Sequence, residues 1–205
     1  MRFALSFLGE MIPFMLLALP VYLAARTLLV LRRRRRGLGV NYLREALLLV
    51  FVLFCLGLAS QTVMPQMIQD MDGRTIVLTV FTNNPHFPSV GGFSSWRYNF
   101  VPFRTIGSYF GRGAGLFLVN IVGNVIMFAP LGFFVPLLWR KLHGFWRMTA
   151  LGAAISCAIE LAQVFILRSV DVDDVILNTL GVLLGYGLYA LLQKLWPSVS
   201  NRVKR

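Results

Sequence analysis

Five apolar stretches, each about as long as a membrane-spanning helix, constrain this chain more than any other feature of its sequence. A helix needs about 20 mainly apolar residues to cross the hydrocarbon core of a bilayer. The stretches are Met11–Leu31, Leu43–Met64, Ala114–Trp139, Met148–Leu167 and Val175–Trp196. Apolar residues make up 57% of the chain and charged residues only 14%, and a soluble core of this size cannot bury so much apolar side chain. The sequence therefore predicts an all-α integral membrane protein with a bundle of about five transmembrane helices.

The predicted spans divide the chain into segments. Residues 1–64 hold two N-terminal transmembrane helices with a basic cytoplasmic loop, residues 65–113 form an extracytoplasmic loop, and residues 197–205 form a basic cytoplasmic tail. Within the long loop, Thr75–Val80 is rich in β-branched residues and predicts a strand, and Asn83-Asn84-Pro85 predicts a turn. We therefore expect a small extracytoplasmic loop or hairpin between the second and third spans.

The lysines and arginines predict the orientation, because short cytoplasmic loops are enriched in these residues. One set of alternate loops holds thirteen of them, namely Arg32–Arg36, Arg44, Arg140, Lys141, Arg147, Lys194, Arg202, Lys204 and Arg205. The other set holds six, namely Arg2, Arg74, Arg97, Arg104, Arg112 and Arg168. This bias predicts a plasma-membrane protein with its N-terminus outside and its C-terminus in the cytoplasm. The net charge of +12 is then a signal of topology and of contact with anionic membrane lipids, and no nucleic-acid partner is expected.

Three of the predicted spans carry polar side chains that would be costly against lipid. They are Asn120 and Asn124 in the third span, Glu160 and Gln163 in the fourth, and Asp171, Asp173, Asp174 and Asn178 at the start of the fifth. Spacings of three or four residues, as from Asn120 to Asn124, place side chains on one face of a helix. All of these residues belong to the predicted outer half of the membrane. We expect them to form a polar pocket that opens outwards beneath the turn Arg168–Asp174.

Glu160 is the most informative of these residues, since a charged side chain at the bilayer centre costs at least about 2.5–3.5 kcal/mol. Two interpretations remain open. In one, an ion pair with Arg168 or with an arginine of the long loop, or a hydrogen bond, locks the bundle. In the other, Glu160 serves binding or catalysis. The turn that follows equally fits a solvated loop in which an aspartate caps the fifth helix. It lacks the glycine and distal glutamate of a calcium loop, so neither a metal nor another cofactor is expected.

The polar residues fall in a pattern of fixed order and spacing. It runs through Asn99-Phe100-Val101-Pro102-Phe103, Asn120-x-x-Gly123-Asn124-x-x-x-Phe128-x-Pro130-x-Gly132, Glu160-x-x-Gln163 and Arg168-x-x-Asp171-x-Asp173-Asp174-x-x-x-Asn178-x-x-Gly181. This pattern resembles the VanZ-like family of bacterial membrane proteins, which is known for a member that confers low-level teicoplanin resistance. The resemblance implies a VanZ-like membrane domain over residues 99–196 and a role at the bacterial cell surface. It implies no mechanism.

Three functions remain to be compared. The first is binding of a polar headgroup or amphiphile, such as a cell-wall lipid precursor or a glycopeptide, in the outward pocket. Its candidate residues are Asn99, Asn120, Asn124, Glu160, Gln163, Arg168, Asp171, Asp173, Asp174 and Asn178. The second is a membrane enzyme that acts on a lipid-linked cell-envelope substrate, with Glu160 as acid or base. The third, a transporter, is disfavoured because internal repeats are absent from the sequence. The sequence leaves the oligomeric state open.

Overall fold

The computed structural model describes residues 2–63, 67–69, 75–77, 98–110, 117–165 and 170–204. The helices are α1 (Arg2–Arg35), α2 (Tyr42–Thr62), α3 (Arg104–Phe110), α4 (Gly123–Leu138), α5 (Phe145–Phe165), α6 (Val172–Leu195) and α7 (Pro197–Lys204). A π-helical turn, Leu118–Val122, leads into α4, and a 3-10 turn, Arg140–Leu142, follows it. The strands are β1 (Met67–Gln69), β2 (Thr75–Val77), β3 (Tyr98–Asn99) and β4 (Val170–Asp171).

Five of these helices are long and apolar enough to cross a membrane, as the sequence predicts. The spanning segments are Met11–Arg35, Tyr42–Thr62, Asn120–Leu138, Phe145–Phe165 and Val172–Leu195. Their ends differ from the predicted ones by a few residues, and the predicted start of the third span at Ala114 lies outside the described residues. The chain is therefore a multi-pass α-helical membrane protein.

The predicted hairpin is present in the loop between the second and third spans. Strand β2 begins at Thr75, as predicted, and pairs antiparallel with β1, so that Met67 lies opposite Val77. The partner strand thus precedes β2 in the chain, whereas the predicted turn at Asn83-Asn84-Pro85 suggested a partner after it. The predicted turn itself lies outside the described residues.

Helices α4 and α6 cross in backbone contact at three glycines. A Cβ atom added to Gly185 would lie 1.7 Å from the carbonyl oxygen of Ala129, and one added to Gly132 would lie 1.8 Å from that of Val182. Gly181 is buried on the same face of α6 as Gly185. Small residues allow this close approach inside a membrane, where packing drives helix association. The glycine stripe of the fifth span therefore faces the bundle, as its spacing predicts.

The remaining spans pack around this pair by different means. Helix α5 buries one face, which consists of Met148, Gly152, Ser156, Glu160 and Gln163. Helix α2 packs on α4 through Phe51, whose ring centroid lies 5.9 Å from that of Phe134. Helix α1 is joined to α2 by an ion pair in which the Arg26 guanidinium donates to the Glu45 carboxylate, with one contact of 2.8 Å. The polar side chains Ser156, Glu160 and Gln163 of α5 therefore face the inside of the bundle.

The basic connections gather at one end of the bundle. The turn between α1 and α2 contacts α7, because the Asn41 side chain donates a hydrogen bond to the carbonyl oxygen of Arg202. The turn between α4 and α5 lies nearby, since the His143 ring packs on Tyr189 of α6 at 5.6 Å. The predicted basic tail contains α7, a helix whose Val203 is fully buried. The opposite end carries the start of α6, the end of α5 and the segment with β3 and α3.

Candidate functional site

A parallel strand pair places a short segment of the long loop on the start of α6. Strand β3 pairs with β4, so that Tyr98 lies opposite Val170 and Asn99 opposite Asp171. The Asn99 amide nitrogen donates to Oδ1 of Asp171 at 3.0 Å, and its amide oxygen accepts from the backbone nitrogen of Val101 at 3.1 Å. We refer to residues 98–110, which include β3 and α3, as the cap segment. Asn99, predicted as a site residue, holds this segment to the bundle.

Asp173 organises the cap segment. Its carboxylate is fully buried and accepts three backbone hydrogen bonds, from Phe103 at 2.5 Å, Thr105 at 2.8 Å and Ile106 at 3.0 Å. The first N–H groups of a helix have no partner within it, so the carboxylate of α6 caps α3. Phe103 has a positive φ of 65°, a conformation that costs a non-glycine residue about 1–3 kcal/mol. The hydrogen bonds of Asp173 offset this strain.

Asp171 and Glu160 extend the same network into the membrane. Asp171 is the N-cap of α6 and accepts from the backbone nitrogen of Asp173 at 2.9 Å, while its second oxygen accepts from the Thr105 hydroxyl. The aspartate cap that the sequence predicts is therefore confirmed, but the described residues of this turn are partly or fully buried and do not form a solvated loop. Glu160 is 5% exposed, and its Oε2 accepts from the backbone nitrogen of Asp171 at 2.9 Å. This bond ties the end of α5 to β4. Arg168, the expected partner of Glu160, lies outside the described residues.

A second polar contact joins α4 to α6. The Asn124 amide nitrogen donates to Oδ1 of Asp174 at 3.0 Å, and the pair is partly buried. Asn120 is half-buried and lies within the π-helical turn Leu118–Val122. A π turn holds more residues than an α turn and occurs often at functional sites. The spacing from Asn120 to Asn124 therefore crosses a change of helix geometry that the sequence does not indicate.

Asn178 makes a third contact, one turn of α6 further from the cap segment. It is 4% exposed, and its amide nitrogen donates to the Ser156 hydroxyl at 2.8 Å. Its Oδ1 atom is buried and accepts no hydrogen bond from the part of the chain that the structure describes. A buried acceptor without a donor is rare in native proteins, and a bound water or ligand is one way in which such an atom is satisfied.

Gln163 has a partner outside this region. Its amide nitrogen donates to the carbonyl oxygen of Thr62 at 3.0 Å, which ties α5 to the end of α2. The predicted site residues thus fall into groups. Asn99, Glu160, Asp171 and Asp173 are directly connected, Asn124 pairs with Asp174, and Asn178 and Gln163 have separate partners.

Two residues of this site, Thr105 and Ser156, were not identified from the sequence. Ser156 lies one turn before Glu160 on the buried face of α5, so its spacing of four residues was an available signal. Thr105 follows the Asn99–Phe103 motif by two residues, and it bonds to Asp173 through its backbone. Its hydroxyl also donates to Asp171, but the two residues lie far apart in the sequence, so the spacing of side chains does not indicate the pair. Among the described residues, no group of three or more His, Cys, Asp or Glu side chains could hold a metal ion.

Five of the described helices are able to span a membrane, and polar residues from three of them pair near one end of the bundle. These two features define the class of protein, which is a multi-pass helical membrane protein with a polar end. The family model VanZ/LLP1 matches residues 46–193, which is more than half of the chain. This chain belongs to that family. Protein VanZ of Enterococcus faecium is 29% identical over 120 residues, which cover 58% of this chain and 68% of that protein. No solved structure matches the chain.

The family match extends further towards the N-terminus than the motif that suggested it. It begins at residue 46, within α2, whereas the motif begins at Asn99. The bond from Gln163 to Thr62 and the ring contact from Phe51 to Phe134 connect α2 to the later spans. The family unit therefore includes the second span.

Proposed function

We propose that this VanZ-like protein lies in the bacterial plasma membrane and binds the polar headgroup of an amphiphile at the end of the bundle that carries the cap segment. In this proposal the cap segment faces the outside of the cell. The headgroup belongs to a cell-wall lipid precursor or a similar envelope lipid, and its binding contributes to glycopeptide (teicoplanin) resistance. Family membership supports the cell-surface role, and the arrangement of polar groups supports the binding.

The distribution of basic residues supports the proposed orientation. The connections that carry Arg32–Arg36, Arg140 and Lys141, together with α7, gather at the end of the bundle opposite the cap segment. Short basic connections remain in the cytoplasm. This rule gives an external N-terminus, a cytoplasmic C-terminus and an external cap segment. A reagent that labels amines or thiols only from outside the cell tests this topology, because it distinguishes the external end of the bundle from the cytoplasmic end.

The observation that carries the binding proposal is the buried Oδ1 atom of Asn178, which accepts no hydrogen bond from the described part of the chain. A buried acceptor without a donor costs about 1–3 kcal/mol, so a hydroxyl, amine or amide of a ligand gains this energy when it binds there. Asn178 lies four residues after Asp174, on the same face of α6. The pair of Asp174 and Asn124 is only partly buried and lies between Asn178 and the external end. A headgroup rich in hydrogen-bond donors matches these acceptors.

The experiment compares two variants of one hydrogen-bonded pair. The change Asn178→Leu removes the unpaired acceptor, whereas Ser156→Ala removes only the partner of the Asn178 amide nitrogen. The chain and both variants are expressed in a teicoplanin-susceptible bacterium at matched membrane levels, and the minimal inhibitory concentration is measured. We expect protection from the unmodified chain and from Ser156→Ala, and none from Asn178→Leu. Full protection by Asn178→Leu would refute the proposal.

Lipid bound to the purified protein gives a second measurement that does not depend on resistance. Mass spectrometry of the lipids that co-purify with the unmodified chain identifies the headgroup. We expect one lipid class to be enriched relative to the membrane and to be lost in Asn178→Leu but kept in Ser156→Ala. An identical lipid composition for all three proteins contradicts headgroup binding.

The alternative is a membrane enzyme with Glu160 as acid or base, and the geometry favours it less. Glu160 is buried and already accepts a hydrogen bond from the backbone of Asp171, which gives it a structural role. The change Glu160→Gln keeps an acceptor oxygen but removes the titratable group. Under the binding proposal this variant retains lipid and protection. Loss of protection with lipid binding intact would favour the enzyme.

A further inference from the structure

The cap segment exposes three apolar side chains on a backbone that is held firmly in place. Phe100 is 68% exposed, Val101 57% and Phe103 64%. The backbone nitrogen of Val101 donates to Asn99, and that of Phe103 donates to Asp173. We call the three side chains the apolar tip. Its backbone is fixed by these two hydrogen bonds, and its side chains point away from the protein. Large exposed apolar groups that lie together mark a site of interaction.

The apolar tip lies at the level where a spanning helix ends. The backbone nitrogen of Phe103 donates a hydrogen bond to Oδ1 of Asp173 at 2.5 Å. Asp173 is the second residue of the span Val172–Leu195. The tip is therefore held at the boundary between bilayer and water and does not project far into solution. Side chains that face lipid approach the same boundary on α5, where Leu161 is 63% and Phe165 76% exposed. The apolar tip and these side chains lie at the same end of the bundle.

Arg104 adds a positive charge, which the anionic headgroups of a membrane surface attract. It follows the apolar tip directly and is exposed. Aromatic side chains are enriched at membrane–water interfaces, and arginine matches the geometry of a phosphate with two parallel hydrogen bonds. An aromatic and aliphatic tip followed by an arginine fits acyl chains below and lipid phosphates above.

We propose that the apolar tip is an interfacial anchor, in which Phe100, Val101 and Phe103 insert among the acyl chains of the bilayer and Arg104 contacts a lipid phosphate. The occupant of this surface is the phospholipid bilayer that surrounds the protein. The proposal goes beyond headgroup binding and does not depend on it, because it concerns side chains on the opposite side of the cap segment backbone from Asp173. The anchor holds the cap segment at a fixed depth over the polar end of the bundle.

Depth-dependent fluorescence quenching tests this anchor. The native thiols are first removed by Cys55→Ala and Cys157→Ala. A bimane label is then placed singly at Phe100→Cys or Val101→Cys, and the full chain is reconstituted in lipid bilayer discs. Quenching by lipids with a nitroxide near the headgroup is compared with quenching by aqueous iodide. Phe103 is not labelled, because its positive φ makes it sensitive to substitution.

Two reference positions calibrate the result. Gly39→Cys lies in the exposed connection between α1 and α2 and has nothing within 4 Å of an added Cβ, so it reports water. Leu184 is 50% exposed in the middle of α6, so a label at Leu184→Cys reports the interior of the bilayer. We expect the labels at positions 100 and 101 to be quenched severalfold more by the shallow nitroxide than the label at Gly39→Cys, and severalfold less by iodide.

Other outcomes would overturn the anchor. Iodide quenching at positions 100 and 101 equal to that at Gly39→Cys means that the tip stands in water. Protection from both quenchers, in labels that a nitroxide deep in the acyl chains also fails to quench although it quenches the label at Leu184→Cys, means that protein covers the tip, either another part of this chain or a second copy. Each labelled protein is checked as a single species by size-exclusion chromatography, and agreement between the two positions excludes a local effect of either substitution.

Discussion

The change Asp173→Asn tests how the cap segment is held. The Asp173 carboxylate accepts from Phe103 with one oxygen and from Thr105 and Ile106 with the other. Asparagine supplies one acceptor oxygen and one amide donor. In its best orientation the oxygen keeps the bonds from Thr105 and Ile106, while the amide group faces the N–H of Phe103 and loses that bond.

The expected loss follows from the strength of these bonds. A hydrogen bond to a charged group contributes about 1.5–3 kcal/mol, and a neutral one about 0.5–1.5 kcal/mol. One charged bond is lost in Asp173→Asn, and two become neutral, which together cost about 3–5 kcal/mol. Since each 1.4 kcal/mol changes an equilibrium about tenfold, the opening equilibrium of the cap segment rises roughly 10²–10⁴-fold.

Hydrogen–deuterium exchange of the protein in lipid bilayer discs measures this opening at the amides of residues 103–106. The control is Asp171→Asn, because asparagine caps a helix as well as aspartate does. Its amide oxygen keeps the bonds from Asn99 and Asp173, and its amide group faces the Thr105 hydroxyl, which is able to accept. We expect faster exchange in Asp173→Asn by at least two orders of magnitude and a change of less than about tenfold in Asp171→Asn. Equal exchange in the two variants would show that Asp173 does not hold the cap segment.

Two further substitutions test the packing of the bundle by thermal unfolding of the solubilised protein. Gly185→Ala places a Cβ 1.7 Å from the Ala129 carbonyl oxygen and lowers the stability of the protein by about 1–3 kcal/mol or more. The control Gly187→Ala has nothing within 4 Å of the added Cβ and does not lower it. Equal melting temperatures for the two variants would contradict the close helix crossing. Arg26→Gln leaves the Glu45 carboxylate without its ion-pair partner in a partly buried position and costs about 1–3 kcal/mol. The exchange of both residues, Arg26→Glu with Glu45→Arg, restores most of this loss, and a double variant no more stable than Arg26→Gln argues against the pair.

The number of spans was predictable from the sequence because lipid imposes a simple requirement. A spanning segment satisfies its backbone hydrogen bonds internally, so length and hydropathy alone identify it, whatever it packs against. The inward face of α6 was predictable for a related reason. Asn178, Gly181 and Gly185 repeat at helical spacing, and the same regular helix continues through all of them.

The contacts of the site were less predictable, because they depend on where segments from different parts of the chain meet. The sequence indicates that Glu160 needs a partner, but not that the backbone of Asp171 provides one. The cap of α3 is supplied by Asp173, seventy residues from Phe103, and spacing along one helix gives no information about such a pair. The π turn at Asn120 changes which residues share one face of its helix, and the sequence carries no clear signal for this turn.

The structure separates two roles within the family motif. The backbone N–H groups of Phe103, Thr105 and Ile106 all donate to the carboxylate of Asp173. The chain therefore needs the acceptor oxygens of this aspartate, and those of Asp171 and Glu160, to hold the cap segment, whatever it binds.

Loss of function in a variant that no longer holds the cap segment consequently gives no information about the ligand. Asn124 and Asn178 are different, because no segment beyond the helices depends on their contacts. If the chain binds a headgroup, substitutions at these two positions are expected to alter which lipid is bound while the cap segment remains protected from exchange. The change Asp173→Asn, which loses one of the acceptors that hold the cap segment, is expected to expose this segment and to lose every lipid together. An acid variant that changes lipid preference with the cap segment intact would contradict this division of roles.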